Sequence, residues 1–335
     1  MSVLNSPGFN AADIDCVLDA RSIGLEHWSY NLGIARQILA TRVPRATRLI
    51  MSPACSALLG ALGVPAEERR EAGSTGSRLL RLLAREWHSA RTIREVLRSN
   101  DHVLIVHVHP LALCLAALKP PSHKGRLSVC LHNDFMGAAR GAGTEDRIER
   151  LLWRTATRLH RGLRIVAPNR HFARFARLLF PRGTGIDVLP HPVLSRSDYE
   201  RVAASSPLAN GERFTLGFFG RVDPGRGAGD FREWAVLHPD NPCVLAGRWT
   251  NRLEPLPNLR VFDLPDTHDF CALILRTDAL FLDLRDDAYR VGESGVFWDA
   301  VGTRARLRCG YLPLMYRQRL VELAMQPNGP VGENP

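Results

Sequence analysis

The sequence lacks several features that would assign it to a common class at once. Its seven cysteines are widely separated and include no CxxC pair, so we interpret them as reduced core residues of a cytoplasmic protein. No uninterrupted apolar run reaches the roughly 18 residues that span a bilayer, and the first ten residues lack a basic segment followed by an apolar one. We therefore expect neither a membrane-spanning protein nor one secreted by a standard signal.

The length of the chain limits its number of domains, and its net charge limits the kinds of partner that it can bind. The chain has 335 residues, 45% of them hydrophobic, which is enough for two ordinary globular domains. Its 44 basic and 34 acidic residues give a formal charge of +10, and this excess indicates an anionic partner such as phosphate, nucleic acid or an acidic membrane. Basic residues are not interleaved with stacking aromatics and no nucleic-acid-binding motif is present, so we expect no nucleic acid.

Short apolar runs alternate with helical patterns along the chain, which is typical of an α/β fold with parallel sheets. Residues 193–212 are polar and rich in Ser, Ala and Pro, and we interpret them as a linker. It would join an N-terminal domain, residues 1–192, to a C-terminal domain, residues 213–325, and we expect residues 326–335 to be disordered. Strands are predicted at 15–18, 48–51, 102–106, 127–131, 164–167, 187–189, 213–219, 243–246, 259–262 and 279–282.

The segment from Phe214 to Gly229, FTLGFFGRVDPGRGAG, is the most informative part of the sequence. An apolar strand runs into a Gly-rich turn that carries two arginines, and such a turn can bind phosphate through its backbone, a following helix and guanidinium groups. Two familiar motifs fail here. Arg226 and Gly227 occupy the Lys and Ser/Thr positions of a P-loop, and the glycines lack the GxGxxG spacing of a dinucleotide site.

This segment resembles the start of the second domain in retaining glycosyltransferases of the GT-B fold, the family-four type. In that family a strand ends in Gly-Arg, and a basic residue followed by Gly comes five residues after the Arg, as Gly220-Arg221 and Arg226-Gly227 do here. The resemblance implies two Rossmann-like domains that face a cleft. It also implies that Gly220, Arg221, Arg226 and Gly227 bind the diphosphate of a nucleotide sugar.

The resemblance continues downstream. Asp299-Ala300 matches the family's Glu-Ala pair, and backbone amides of Ser294, Gly295 and Val296 lie where phosphate would be received. Some subgroups also carry a Tyr and a Ser-Gly here, as Tyr289 and Ser294-Gly295 do. The family's acidic residue eight positions before its Glu is replaced by Val291. Glu293 is either its catalytic substitute or only a cap of the following helix.

In the first half, LSVCLHND from Leu127 to Asp134 resembles the strand that places a family His near the transferred sugar. His132 matches this catalytic position, and Asn133, Asp134 and His109 are expected to line the acceptor side of the cleft. A metallohydrolase is the second enzyme hypothesis, because His107 and His109 would project to one strand face. It would need further ligands such as Asp134, His191 or Asp283, and no hydrolase motif surrounds them.

Residues 78–98 form an amphipathic helix in which Leu79, Leu83, Ala90, Ile93 and Leu97 share one face, flanked by arginines. Such a helix either lies on an anionic membrane at the inner face of the plasma membrane or packs on its own domain. The acceptor is accordingly expected to be lipid-linked or a small molecule.

The resemblance implies a UDP- or GDP-sugar as co-substrate, transfer with retention of anomeric configuration, and no metal or other cofactor. Because Val291 replaces an acidic residue and the matched region ends near Gly302, a non-catalytic protein that binds a nucleotide sugar is the alternative.

Overall fold

Two parallel β-sheets organise the chain, one in each of the units that its backbone contacts define, Met1–Pro192 and Val193–Pro335. The computed structural model describes residues 10–22, 25, 27–41, 47–70, 77–118, 125–131, 143–222, 227–249, 256–263, 265–284, 294–310, 312–313, 316–317 and 320. The parallel sheets alternating with helices confirm the α/β fold class that the sequence predicts.

The first unit has a seven-stranded sheet with the strand order β3-β2-β1-β4-β5-β6-β7. Its strands are β1 (Cys16–Asp19), β2 (Arg48–Met51), β3 (Glu67–Glu68), β4 (His102–His107), β5 (Arg126–Cys130), β6 (Arg164–Ala167) and β7 (Gly185–Val188). Its helices are α1 (Trp28–Ala40), α2 (Pro53–Ala61), α3 (Arg78–Ser99), α4 (Pro110–Ala117), α5 (Thr144–Leu159) and α6 (Arg170–Leu179).

The second unit has a five-stranded sheet with the order β10-β9-β8-β11-β12. Its strands are β8 (Phe214–Val222), β9 (Cys243–Trp249), β10 (Leu259–Asp263), β11 (Thr277–Leu282) and β12 (Arg306–Cys309). Its helices are α7 (Arg196–Ala203), α8 (Ala228–Leu237), α9 (Thr267–Leu275) and α10 (Gly295–Thr303).

Each sheet has a point at which the chain reverses its direction of strand addition. In the first sheet β2 and β3 are added on one side of β1 and β4 on the other. In the second, β9 and β10 lie on one side of β8 and β11 on the other. The loops after the two central strands diverge at such a switch point and leave a ligand crevice outside their carboxyl ends. We therefore expect ligand sites at the carboxyl ends of β1 and β4 in the first sheet and of β8 and β11 in the second.

Burial explains why the central strands are continuous apolar runs. All six residues of β4 are buried, as expected for a parallel strand covered by helices on both faces. In the second unit, Phe218, Phe231 and Phe281 pack against one another with ring centroids 5.6 to 6.4 Å apart, and join β8, α8 and β11 in one core.

Residues 193–212, interpreted from sequence as a linker, contain α7. Asp198 accepts hydrogen bonds from the Ser195 backbone N–H at 3.1 Å and from its hydroxyl at 2.7 Å, which fixes the start of the helix. Tyr199 and Val202 are buried. The Ser- and Ala-rich composition that suggests a linker therefore belongs in part to a packed, capped helix.

The sequence leaves open whether helix α3 lies on a membrane or packs on its own domain, and its two ends differ in this respect. Ala90, Ile93 and Leu97 are buried in the first unit, so these three residues do not belong to a free membrane-binding face. Leu79 and Leu83, on the first two turns, are exposed, at 64% and 44%. Among the described residues, no helix is both long and apolar enough to cross a bilayer.

Candidate functional site

The end of β8 lies very close to two neighbouring elements. Gly220 has φ +93, and a Cβ there would be 3.2 Å from Cγ2 of Val296 in the first turn of α10. A Cβ at Gly247 on β9 would be only 1.7 Å from the Gly220 carbonyl oxygen. A side chain at Gly247 would push the strand ends apart, and the left-handed φ of Gly220 favours glycine there as well. The carboxyl ends of β8 and β9 and the start of α10 therefore meet.

Gly227 directly precedes α8, the helix that follows β8 in the chain. It caps α8 with φ +79 and ψ +16, in the left-handed region. A Cβ there would be 2.5 Å from Cβ of Asp283, a buried residue directly after β11. The start of α8 thus lies against the end of β11, the strand that borders β8 at the switch point.

The first turn of α10 offers backbone donors beside these glycines. The Ser294 hydroxyl accepts the Phe297 N–H at 3.4 Å, and the Ser294 carbonyl accepts the Trp298 N–H at 3.3 Å. The amides of Gly295 and Val296 open the helix, where its dipole is positive. A Cβ at Gly295 would meet no heavy atom of the described residues within 4 Å. The arrangement can hold an anion.

Asp299 lies one turn further along α10. Its Oδ1 accepts a hydrogen bond from the Tyr199 hydroxyl at 2.7 Å. The side chain remains partly exposed, yet burial by the surrounding protein atoms raises the pKa of its carboxyl from 3.8 to about 7, while the Tyr199 bond opposes the shift. Asp299 therefore changes charge near neutral pH, with one oxygen already engaged by α7.

Several residues proposed from sequence lie outside the described residues. They are His132, Asn133, Asp134, Arg226, Tyr289 and Glu293. Arg221 is on β8, but its side chain is also outside the description. Their roles remain predictions.

The switch point of the first unit holds a buried polar network. Asp19, at the end of β1, accepts the Ser22 N–H at 2.9 Å and the Asn31 side-chain amide at 2.7 Å. Nδ1 of His107, at the end of β4, lies 2.9 Å from the Ser22 hydroxyl and 4.0 Å from Oδ1 of Asp19. These bonds join the ends of the two central strands.

His109 belongs to a second cluster at the same edge. It caps α4, and its Nδ1 accepts the Leu111 N–H at 3.3 Å and lies 4.0 Å from Oε2 of Glu86. Glu86 on α3 is fully buried, and the Nε atoms of Arg85 and Arg21 lie 3.4 and 3.8 Å from its Oε1. Burial raises the pKa of the Glu86 carboxyl, and the two arginines partly offset the increase.

Sequence reasoning missed Arg21, Arg85 and Glu86. Arg85 is one of the arginines that flank the apolar face of the predicted helix. Glu86 falls between Leu83 and Ala90 in helical phase, on the stripe that packs inward, and a carboxylate at such a position is the signal that could have found the cluster.

The metallohydrolase hypothesis finds no support among the described residues, where no group of three or more His, Cys, Asp or Glu side chains is arranged to hold a metal ion. His107 is bonded to Ser22, and His109 caps a helix. Asp283 belongs to the second unit, and Asp134 lies outside the described residues. The two histidines form separate polar contacts rather than one ligand set.

Comparison with known proteins concerns the fold. No protein-family model and no curated protein sequence matches the chain. The UDP-GlcNAc 2-epimerase of Neisseria meningitidis, solved with UDP-GlcNAc bound, aligns over 92% of this chain and 86% of its own, with a TM-score of 0.53 and 11% identity. Sucrose-phosphate synthase of Thermosynechococcus elongatus aligns over 90% of this chain and 81% of its own, with a TM-score of 0.55 and 9% sequence identity. The fold is accordingly the GT-B fold with its two Rossmann-like units.

Proposed function

We propose that this chain is a glycosyltransferase that moves a sugar from a UDP- or GDP-linked donor to an acceptor. The observation that carries the proposal is the β8/β11 switch point. There Gly227 lies against Asp283, and the first turn of α10 lies against Gly220. Glycines that admit a close ligand beside helix amides suit a diphosphate.

In this proposal the diphosphate lies between the Gly-rich turn and α10. Arg221 and Arg226 pair with its oxygens, and the amides of Ser294, Gly295 and Val296 face it. As the sugar leaves, negative charge grows on the diphosphate. Donors fixed in advance stabilise this charge without reorganisation. Guanidinium groups and the helix dipole take the place of a metal ion.

The remaining assignments follow from the family resemblance. Transfer proceeds with retention of anomeric configuration, and His132 faces the transferred sugar, with Asn133, Asp134 and His109 on the acceptor side. Tyr289 belongs to the donor side, and Glu293 is the catalytic substitute for the acidic residue that Val291 replaces. Asp299 supplies the family's second carboxylate, and its bond to Tyr199 fixes that carboxylate relative to the first turn of α10.

The alternative is a protein that binds a nucleotide sugar without transferring it, because Val291 stands where the family has an acidic residue. Thermal shift with UDP, GDP and their sugar conjugates tests binding, and product analysis with the best donor tests chemistry. Transfer or donor hydrolysis supports the proposal. Binding without turnover supports the alternative, and conversion of UDP-GlcNAc to an epimer would replace both with the activity named for the Neisseria structure. Failure to bind any of them contradicts all three.

We further propose that the exposed N-terminal part of α3, up to Trp87, touches an anionic membrane. Leu79, Leu80, Leu83 and Trp87 are exposed, and Arg94 lies over the Trp87 ring at 5.5 Å. An exposed apolar stripe flanked by arginines suits an acidic lipid surface and a lipid-linked acceptor. Co-sedimentation with neutral and acidic vesicles tests this. Leu83→Ser should weaken binding to acidic vesicles, and the same low binding to both vesicle types would contradict the contact.

A further inference from the structure

Residues 150–186 carry almost all of the net charge of the chain. They contain nine arginines and no acidic residue, which leaves 35 basic and 34 acidic residues in the rest of the chain. The formal charge of +10 would therefore fall to +1 without this segment. The excess of positive charge is localised rather than spread over the molecule.

Most of these arginines are exposed and have no acidic partner. Arg164 is paired with Asp187 through two hydrogen bonds of 2.7 Å. Six others are exposed, and none of them makes an ion pair with the part of the chain that the structure describes: Arg158, Arg161, Arg170, Arg174, Arg177 and Arg182. Positive charge that the protein leaves unmatched is available to an anionic partner.

Exposed leucines lie among these arginines. Nε of Arg154 on α5 donates to the carbonyl of Leu179, the last residue of α6, at 3.1 Å, so the two helices meet there. Leu151 and Arg158 flank Arg154 on the same face of α5, and 62% of Leu151 is exposed. Leu178, next to Leu179, is 77% exposed. We call Leu151, Arg158, Leu159, Arg174, Arg177 and Leu178 the α5–α6 surface.

The α5–α6 surface belongs to one layer of helices. Helices α3, α4, α5 and α6 each connect strands in the same direction across the first sheet, so right-handed crossovers place all four on the same side. α4 packs against both α3 and α5. The exposed N-terminal part of α3 therefore lies in the same layer as the α5–α6 surface.

We propose that the α5–α6 surface binds an anionic phospholipid bilayer. Guanidinium groups pair with phosphate, and each basic side chain near an acidic bilayer strengthens binding. Leu151, Leu159 and Leu178 insert among the lipid chains. Proteins that bind single-stranded nucleic acid combine basic residues with aromatic rings that stack on bases, whereas the exposed apolar side chains of this surface are all leucine. The surface is separate from the proposed donor site and from the exposed part of α3, so each can be tested alone.

Co-sedimentation of the full chain with vesicles of phosphatidylcholine, with and without phosphatidylserine, tests the surface. Arg174→Gln/Arg177→Gln should lower partitioning onto phosphatidylserine vesicles by roughly 10- to 30-fold, because each arginine adds to the attraction. Arg213→Gln/Arg260→Gln is the matched control, because it removes the same charge from two arginines of the second unit that are 69% and 71% exposed. Added salt should weaken wild-type binding and narrow the difference between the two double variants.

The apolar part of the surface has its own pair of variants. Leu178→Ser should weaken binding to phosphatidylserine vesicles, whereas Leu237→Ser, at a residue of α8 that is 69% exposed, should not. Equal losses in the members of either pair would mean that the α5–α6 surface is not the contact. Loss of vesicle binding in Leu83→Ser but not in Arg174→Gln/Arg177→Gln would assign the contact to α3 alone and overturn the proposal.

Two further measurements separate the partners. A short single-stranded RNA that binds through Arg174 and Arg177, with no binding of phosphatidylserine vesicles, would replace the bilayer with a nucleic acid. UDP affinity should be the same in the wild type and in Arg174→Gln/Arg177→Gln. A chain that binds vesicles through these arginines but binds neither UDP nor GDP retains the membrane surface and loses the glycosyltransferase, and a chain that binds UDP but no vesicles has the reverse outcome.

Discussion

The hydroxyl of Tyr199 donates a 2.7 Å hydrogen bond to Oδ1 of Asp299 and thereby joins α7 to α10. Two further contacts hold α10 against α7 and the residues just before it. Arg196 donates from Nη1 to the Thr303 carbonyl at 3.1 Å, and a Cβ at Gly302 would be 2.4 Å from the Leu194 carbonyl oxygen. Since the first turn of α10 borders the proposed donor site, α7 fixes the position of the backbone amides that we propose face the diphosphate.

Tyr199→Phe should lower the free energy of unfolding by about 1 kcal/mol, because it removes one hydrogen bond to a carboxyl group in a packed interface. Urea unfolding of the wild type, Tyr199→Phe, Asp299→Asn and the double variant measures the coupling. If Tyr199→Phe costs the same with and without the Asp299 carboxyl, the two side chains do not interact.

Asp299 should make stability depend on pH in an unusual direction. Its pKa in the folded chain is about 7, above the 3.8 of an unperturbed Asp. Between these values the folded state holds a proton that the unfolded state has released, so this group's contribution is complete below pH 3.8 and declines as pH rises through about 7. Asp299→Asn should therefore gain stability relative to wild type between pH 5 and pH 8, as thermal unfolding can show. A constant difference across that range contradicts the raised pKa.

Gly227→Ala should destabilise the chain more than Gly63→Ala. The φ of Gly227 is +79 and that of Gly63 is +80, both left-handed. A Cβ at Gly63 would meet no heavy atom of the described residues within 4 Å, whereas one at Gly227 would lie 2.5 Å from Cβ of Asp283. We expect about 1 kcal/mol for the backbone strain alone at Gly63 and a larger loss at Gly227, together with weaker UDP binding. Equal losses of stability, with UDP affinity intact in both variants, would mean that the Gly227–Asp283 approach does not shape the site.

The two halves of α3 should respond differently to truncation. Ile93→Ala should lower the free energy of unfolding by about 2 to 5 kcal/mol, because Ile93 is fully buried. Leu83→Ala should change it by less than about 1 kcal/mol, because 44% of Leu83 is exposed. Chemical unfolding of both variants is the measurement. Comparable losses would place Leu83 in the core and remove it from the proposed membrane surface.

Much of the sheet architecture follows from local patterns. Arg48–Met51 and Arg164–Ala167 are strands with the predicted bounds, and the helix expected after Glu293 begins at Gly295 with Ser294 as its cap. β8 is predicted to end at Phe219 but continues to Val222. The sequence suggests an earlier end because the apolar run stops at Gly220 and Arg221, but pairing with β9 extends the strand through both residues.

The parts that were missed depend on contacts distant in sequence. β12 is a short edge strand with the sequence RLRC, whose alternation is too brief to distinguish it from a loop, and it forms because β11 pairs with it. The helical phase of Glu86 places it on the inward stripe of α3, but the sequence does not show which groups surround it, because Arg21 and His109 approach it from other elements. Cys309 is exposed on β12 rather than in the core.

The turnover of Arg226→Ala with its best UDP- or GDP-sugar tests the central claim most directly. If Arg226 stabilises charge on the departing diphosphate, turnover should fall on the order of 10² to 10³, Arg226→Lys should recover part of it, and EDTA should leave the wild-type rate unchanged. Arg213→Ala is the control, because Arg213 precedes β8 at the opposite end of the sheet, 69% exposed and paired with Asp278 at 2.6 Å. If Arg226→Ala has the same turnover and donor affinity as Arg213→Ala and the wild type, the diphosphate site is not where this account places it, and the glycosyltransferase proposal loses its support.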